Sequence, residues 1–285
     1  MPNPNHVPLQ AGLYLIATPI GTARDITLRA LDLLLSADVL VAEDTRSLRR
    51  LMEIHGVPIG DRPMYSYHEH NGAQMRPRLM AAIGEGKSVL YASEAGTPMI
   101  SDPGFDLARA AREAGYAVTS APGPSAVITA LTLAGLPTDR FMFAGFLPSA
   151  KGARRRALEE VSGVPATLVF YESPARVAAM LADAAEILGD RDAALARELT
   201  KKFEEVRRGT LSELALSASE QPPKGEIVVL VDRRSEKISE SVPELALKQR
   251  MQEMSIRDAV DLVAAETGLP RRKVYQMALE IERNG

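Results

Sequence analysis

Short hydrophobic runs alternate with helical patterns through the first half of the chain. The runs predict strands at residues 13–18, 39–44, 64–67, 88–92 and 117–121. Segments with apolar residues at helical spacing separate them, at residues 28–35, 46–55, 74–84 and 105–114. Such alternation is typical of a parallel sheet with right-handed crossovers. The loops that follow the strands should therefore gather at one edge, where open α/β sheets bind their ligands.

The second half predicts a mixed α/β domain followed by a helical tail. Gly135-Leu-Pro137 ends a helix that begins near Ser125, so we expect a domain boundary there. Beyond it, predicted strands at 141–145, 166–171, 193–197 and 226–231 are joined by predicted helices at 153–161, 176–188 and 211–219. The polar residues 233–243 predict a linker. Residues 255–281 predict a helix-turn-helix, with Gly268 ending its first helix and Pro270 opening its second. The expected domains are 1–137, 138–234 and 235–285.

Composition narrows the class of protein. The chain has 285 residues, of which 46% are hydrophobic and 25% charged, as in soluble globular proteins. It has no apolar run long enough for a membrane span and no signal-peptide pattern at its start. The absence of cysteine excludes disulfides, a cysteine nucleophile and thiolate metal sites, and fits a cytoplasmic location. The net charge of −3 means that any nucleic-acid surface must concentrate its positive charge locally.

The stretch Tyr91–Gly104 is the strongest candidate for a ligand loop. It follows a buried-strand pattern, is rich in glycine and proline, and leads into a helical pattern. Glycines let the backbone approach a ligand, and prolines hold the loop in one shape. Neither the dinucleotide fingerprint nor the phosphate-binding P-loop is present. A plain strand-to-helix connection is the alternative. The expected contacts are Gly96, Thr97, Pro98 and Ile100, with the acids Glu94 and Asp102 on either side.

Other loops are expected at the same cleft. Pro122, Gly123 and Ser125 follow the last strand of the first half, where Ser125 could instead cap a helix. A tight turn with Pro19 and Gly21 follows the first strand. In the second half, Phe170 and Tyr171 end a strand, where an aromatic ring could stack on a ligand or belong to the core. Gly225, at the start of the last strand, indicates close backbone approach.

Acids and histidines follow the second and third predicted strands. Glu43 and Asp44 could favour the dipole of a helix capped by Thr45, or could aim a carboxylate at a substrate. His68 and His70 lie two residues apart, so both would point to one side of an extended segment. They could be surface residues or contacts for a substrate. No third metal ligand accompanies them, so we expect no metal site.

Four segments give the chain a specific resemblance. Leu15–Gly21, Ala42–Arg46, Tyr91–Gly104 and Ala121–Ser125 resemble the bacterial 16S ribosomal RNA cytidine 2′-O-methyltransferase family. Further matching segments lie at 68–71, 145–148, 170–173, 196–202 and 224–226. The resemblance extends over residues 12–232, with a weaker match in the tail. One departure is Glu94, where the family usually has aspartate.

The resemblance implies both the fold and the reaction. The fold is a two-domain, tetrapyrrole-methylase-like α/β structure with S-adenosylmethionine bound in the cleft between the domains. The loops described above, with Phe170, Tyr171 and Gly225, would hold this donor. The acceptor would be the ribose 2′-hydroxyl of a decoding-centre cytidine in 16S ribosomal RNA, within the small subunit. Glu43, Asp44 or His68 would serve as the base. The resemblance also implies a homodimer.

Clustered cations supply candidate RNA contacts in a net-acidic chain. Each cluster alone could be a solvated face. The candidates are Arg46, Lys151, Arg154, Arg155, Lys201, Arg271, Arg272 and Lys273. Two rival functions stay open at this point. A tetrapyrrole methylase would share the fold but has no need of the basic clusters. A non-enzymatic ribosome-binding factor would keep the basic clusters but has no need of the donor loops.

Overall fold

A computed structural model describes residues 4–100, 104–233, 241–267 and 270–284. The chain divides into two compact units, Met1–Arg234 and Ser235–Gly285. None of the described helices is long and apolar enough to cross a membrane.

The first sheet of the larger unit is parallel throughout. It has the order β3-β2-β4-β1-β5. Its strands are β1 (Gly12–Ile16), β2 (Val39–Ala42), β3 (Met64–Ser66), β4 (Ser88–Ala92) and β5 (Val118–Ala121). Between them lie a short 3-10 helix (Ala23–Asp25) and the helices α1 (Leu28–Ser36), α2 (Thr45–Ile54), α3 (Gly72–Gly84) and α4 (Gly104–Glu113). The predicted α/β class and parallel sheet are confirmed.

Helices cover both faces of this sheet. On one face, Leu31 of α1 and Leu48 of α2 belong to a core with Ile16 and Leu40. On the other, α3 and α4 pack on Leu13, Val39 and Tyr91. Because both faces are buried, the strands are nearly continuous hydrophobic runs. The sheet's carboxyl edge remains available to a ligand.

The second sheet is mixed and has the order β6-β7-β10-β8-β9. Its strands are β6 (Phe141–Phe146), β7 (Thr167–Glu172), β8 (Asp192–Arg197), β9 (Glu205–Thr210) and β10 (Ile227–Val231). α5 (Ala126–Ala134) packs on one face. The helices that pack on the other are α6 (Lys151–Val161), α7 (Val177–Leu188) and α8 (Leu211–Glu220). Gly135 ends α5 in the left-handed conformation, which confirms the helix end predicted there.

Sequence patterns missed one strand of the second sheet. Among the described strands, β9 lies at the edge of the sheet beside β8, and it is partly exposed. Its charged residues lie on both faces, because Glu205 and Arg207 share one face and Arg208 points to the other. Glu205 forms ion pairs with Arg207 and with Arg197 of β8. Ion pairs replace the apolar alternation that would have revealed the strand. The predicted domain boundary near residue 137 stays a prediction.

The described residues of the smaller unit, 241–267 and 270–284, form three helices, where the sequence predicted two. They are α9 (Ser241–Arg250), α10 (Ile256–Thr267) and α11 (Arg271–Asn284). Leu247 of α9, Val263 of α10 and Val274 of α11 share a buried core. Pro270 precedes α11 rather than opening it, and its carbonyl accepts from the backbone of Lys273. Gly268 and most of the predicted linker lie outside the described residues.

Candidate active site

Two loops of the first sheet are tied together at its carboxyl edge. Thr18, after β1, pairs with Gly96, after β4, through two backbone hydrogen bonds of 3.0 Å. The Thr18 hydroxyl also donates to the carbonyl of Ser93, at 3.1 Å. Gly96 has a φ of 75°, and an added Cβ would lie 3.2 Å from the Ile20 side chain. The loop therefore depends on glycine for both its conformation and its close approach.

The loop after β5 joins the same arrangement. The Thr97 hydroxyl donates to the carbonyl of Pro124, at 2.9 Å. Ser125 is the N-cap residue of α5, but its side chain makes no capping hydrogen bond. Ser125 instead lines the cleft. Of the two roles considered for Ser125, this placement favours a ligand contact.

A cleft of about 650 Å³ opens where these loops meet the second sheet. Predicted site residues from both halves of the larger unit line it: Glu43, Glu94, Gly96, Thr97, Ile100, Ser125, Tyr171 and Gly225. Residues that were not predicted also line it: Ile20, Ser47, Phe146, Leu199, Glu226 and Val228. Phe146 could have been predicted from the sequence, because it belongs to the Gly145–Pro148 segment of the resemblance. Ser47 could not, since it resembles any polar residue in the first turn of a helix.

Tyr171 forms the aromatic wall of the cleft. Its ring centroid lies 4.8 Å from that of Phe143 and 5.4 Å from that of Phe146, in edge-to-face contacts. Burial, together with the nearby Glu226, raises the pKa of the Tyr171 hydroxyl, so the ring stays neutral. Phe170 faces the other way. It is fully buried in the core beneath α6, α7 and α8, because neighbouring residues of a strand point to opposite faces. The expected ligand contact by Phe170 is thus replaced by a core role.

A strained turn after β8 completes the second sheet's side of the cleft. Glu198 and Thr200 have φ values of 50° and 63°, although neither is glycine. Lys201 bonds both Glu198, at 2.9 Å, and Glu226, at 2.6 Å. The bond from Lys201 lowers the pKa of the Glu198 carboxyl. A Cβ on Gly225 would lie 2.1 Å from the Glu198 carboxylate, and Gly225 has a φ of 86°, so any other residue would be strained and would displace the Glu198 side chain.

The turn after β1 reaches this second-sheet turn. The backbone of Thr22 donates to the Thr200 hydroxyl, at 3.1 Å, and the Thr22 hydroxyl donates to the Thr200 carbonyl. A Cβ on Gly21 would approach Lys201 and Thr200 to 2.6 Å. Gly21 therefore lets the two turns meet.

Asp44, rather than Thr45, caps α2. Its carboxylate accepts from the backbone of Arg46 at 2.8 Å and pairs with the Arg46 guanidinium at 2.9 Å. These bonds lower the pKa of the Asp44 carboxyl, which makes it a weak proton acceptor. Glu43 is half-buried and faces the main cleft. The two adjacent acids thus have different surroundings.

A second cavity, of about 580 Å³, adjoins the first. Ser47 and Glu94 line both. The remaining walls come from the turn after β1, from α2 with its N-cap, and from the residue after β4. They comprise Thr18, Pro19, Gly21, Ala23, Asp44, Arg46, Leu48, Arg50, Leu51, Ile54 and Ser93.

The structure does not bring every predicted residue to these cavities. His68 and His70 lie in a turn capped by Asn71, not in an extended segment, and His68 lines neither cavity. Pro98, Pro122 and Gly123 also lie outside both linings. Asp102 is outside the described residues. Within residues 4–100, 104–233, 241–267 and 270–284, no group of three or more acids and histidines could hold a metal ion.

Several predicted RNA contacts are engaged within the protein. Arg154 is buried and donates to Asp183 at 2.7 Å, so it stabilises the packing of α6 on α7 instead of presenting a free cation. Arg155 pairs with the same acid at 3.2 Å. Lys201 is held by the two glutamates described above. Lys151 is exposed.

The cations at the start of α11 lie in the smaller unit. Arg271 pairs with Asp261 of α10. Arg272 and Lys273 are exposed.

Comparison with known proteins adds independent information. The family model described as Tetrapyrrole (Corrin/Porphyrin) Methylases matches residues 12–215, and that described as RsmI C-terminal HTH domain matches residues 244–282. The chain is 46% identical to "Ribosomal RNA small subunit methyltransferase I" of Mesorhizobium japonicum, over 96% of this chain and 94% of that protein. It is 42% identical to the protein of the same name from Halalkalibacterium halodurans, over 93% of each.

Solved structures agree on the fold. Cobalt precorrin-4 methyltransferase, a cobalamin biosynthetic enzyme, superposes with a TM-score of 0.58 at 16% identity. The match covers 77% of this chain and 94% of that one. At this identity the likeness concerns the fold alone.

Proposed function

We propose that this chain, which belongs to the ribosomal RNA small subunit methyltransferase I family within the tetrapyrrole methylases, methylates the ribose 2′-hydroxyl of a cytidine in 16S ribosomal RNA. Membership makes it a methyltransferase enzyme, which removes the non-enzymatic rival. The tetrapyrrole rival loses support because the similar curated proteins are named for ribosomal RNA.

One observation carries the proposal: loops from both sheets line a single cleft. Methylases of this family use S-adenosylmethionine, and a cleft of about 650 Å³ is of the size that holds such a ligand. Because Gly96 has no side chain, a ligand can approach its backbone closely. Tyr171 offers an aromatic surface, and the hydroxyls of Thr97 and Ser125 offer polar contacts. The carboxylate of Glu94 supplies negative charge for a cationic donor.

The bound donor supplies a methyl group on a cationic sulfur. A bond forms between the ribose 2′-oxygen and the methyl carbon while the carbon–sulfur bond breaks, leaving a neutral thioether. The hydroxyl proton must go to a base, because a ribose hydroxyl is a poor nucleophile at neutral pH. Glu43, which lines the main cleft, is the proposed base, whereas bonds from Arg46 lower the pKa of the Asp44 carboxyl. The main task of the protein is to align the donor and acceptor and exclude water.

The smaller unit is proposed to contribute RNA contacts. It matches a C-terminal helix-turn-helix model, and Arg272 and Lys273 are exposed in the first turn of α11. Cations beside a helix N-terminus suit phosphate groups. A chain ending at Asp232 should keep its donor affinity but bind small subunits more weakly at low salt. Equal subunit binding by the shortened and full-length chains would rule this contribution out. The resemblance also supports a homodimer that works in the cytoplasm on the small subunit.

A side-by-side transfer assay tests the proposed function. Donor labelled in its methyl group is offered with small ribosomal subunits, free 16S ribosomal RNA or a tetrapyrrole, and the product is digested to nucleosides. We expect the label in 2′-O-methylcytidine from one of the RNA substrates. Label on a base, or on the tetrapyrrole alone, would contradict the proposal.

A further inference from the structure

We infer that the second cavity receives the acceptor nucleotide, as a single unstacked residue whose flanking phosphates are held by Arg46 and Arg50. This inference rests on the proposed function. It goes beyond it by assigning the acceptor to particular walls, and by giving Arg50, Leu51 and Ile54 a role in recognition.

The position of the cavity is the first argument. Ser47 and Glu94 line both cavities, so the boundary between them lies at these two side chains. A methyl group passed from a donor in the larger cleft to an acceptor in the smaller one would cross there. In-line transfer requires the reacting groups to meet across a short gap, and two adjoining cavities with shared walls provide it.

The chemistry of the walls is the second argument. Arg46 and Arg50 are four residues apart on α2, which puts them on one side of the helix. Their side chains are 90% and 70% exposed. Arg46 donates Nε and Nη2 to Asp44, so its Nη1 faces a phosphate at the mouth, and the Arg50 guanidinium can reach a second one. The pair between Arg50 and Glu53 is fully at the surface and holds Arg50 only weakly.

Apolar side chains complete the walls on the same helix. Leu51 and Ile54 line the cavity, and Ile54 is 42% exposed. An exposed isoleucine beside two arginines gives the base of the acceptor nucleotide an apolar surface. The flanking phosphates of that nucleotide can then meet the two cations. The cavity, of about 580 Å³, is large enough for one nucleotide but not for a duplex. A single nucleotide can fill such a cavity only when it leaves its stack, as the substrates of base-modifying enzymes do.

Arg49 provides a matched control. It is exposed and adjacent to Arg50 on α2, but it lines neither cavity. Arg49→Gln and Arg50→Gln therefore make the same change in net charge on the same helix. General electrostatic attraction predicts equal effects. If the cavity holds the acceptor, only Arg50→Gln should change the KM for small subunits.

The experiment measures methyl transfer to small subunits at several salt concentrations, together with donor affinity by calorimetry. Arg50→Gln should raise the KM for subunits and reduce the slope of log KM against log salt by about one, as for the loss of one phosphate contact. Arg49→Gln should match the wild type. Ile54→Glu, a change at an exposed position, should lower transfer in the same assay. All three variants should bind the donor as the wild type does.

The outcomes separate the inference from the function on which it rests. A wild-type protein that labels no RNA would overturn the proposed function, and the acceptor site with it. An active wild type with equal KM values for Arg49→Gln and Arg50→Gln would overturn the acceptor site alone. Weaker donor binding in Arg50→Gln would also overturn it, because the second cavity would then belong to the donor.

Discussion

The two sheets contribute different things to one cleft. The first sheet brings loops rich in glycine and proline, together with the carboxylates Glu43 and Glu94. The second sheet brings the aromatic wall at Tyr171 and a turn whose shape is fixed by ion pairs to Lys201. For the proposed reaction, we expect the first sheet to hold the reacting groups and the second to shape the space around them.

Loops of both sheets contain residues in the left-handed backbone conformation, but the two sheets achieve this conformation in different ways. At Gly96 the left-handed conformation falls on a glycine, which adopts it without steric cost. At Glu198 and Thr200 it falls on residues that resist it, so surrounding bonds must impose it. The first solution can be recognised in a sequence, whereas the second depends on residues far apart in the chain, such as Thr22 and Glu226.

Replacing Glu43 should have the largest effect on the rate of methyl transfer. It tests whether the reacting groups are held by the first sheet rather than the second. Glu43→Gln removes the proposed base, so the rate of methyl transfer in a single turnover should fall by about 10²–10⁴-fold, while donor affinity survives. Glu226→Gln changes a second-sheet carboxylate of the same cleft and should lower the rate far less. Equal losses of rate in the two variants would show that the carboxylates of the two sheets do not differ in role. A near-normal rate in Glu43→Gln would direct attention to Glu94.

Replacing Gly96 tests the first sheet's loop. Gly96→Val forces a branched residue into a left-handed conformation, with its Cβ close to Ile20. Donor affinity measured by calorimetry should fall at least about tenfold, or roughly 1.4 kcal/mol, while the protein stays folded. Circular dichroism of the variant provides the check on folding. Unchanged affinity in a folded variant would remove this loop from the donor site.

Replacing Lys201 tests the second sheet's turn and should have the smallest effect. Lys201→Met frees Glu198, and the free energy of unfolding at pH 7 should drop by about 1 kcal/mol, while donor affinity falls less than tenfold. Lys202→Met, at the exposed neighbour, is the control.

The effect of Lys201 should depend on pH in a defined direction. Lys201 lowers the pKa of the folded Glu198 carboxyl below its ordinary value of 4.5. The stabilisation is therefore present above that value and is lost as the pH falls through the lowered one. Urea unfolding at pH 7 and in acid should show the gap between Lys201→Met and the wild type narrowing in acid. A gap that widens would contradict the assigned ion pair.

The contrast between the sheets also explains what the sequence could predict. The alternating strands and helices and the loop around Gly96 depend on local patterns, so they were visible. β9 was not, because ion pairs with β8 replace its apolar alternation. The choice between Phe170 and Tyr171 was open, because alternation along a strand does not tell which face meets the cleft. The burial of Arg154 depends on Asp183, which is distant in sequence and invisible to a count of cations.

We propose that one donor molecule lies between the loops of the two sheets. A crystal structure with S-adenosylhomocysteine would locate it. We expect density in the larger cleft, in contact with the backbone around Gly96 and Thr97 on one side and with Tyr171 on the other. Density confined to the second cavity, or lying outside both cavities, would show that the two sheets do not hold the donor between them.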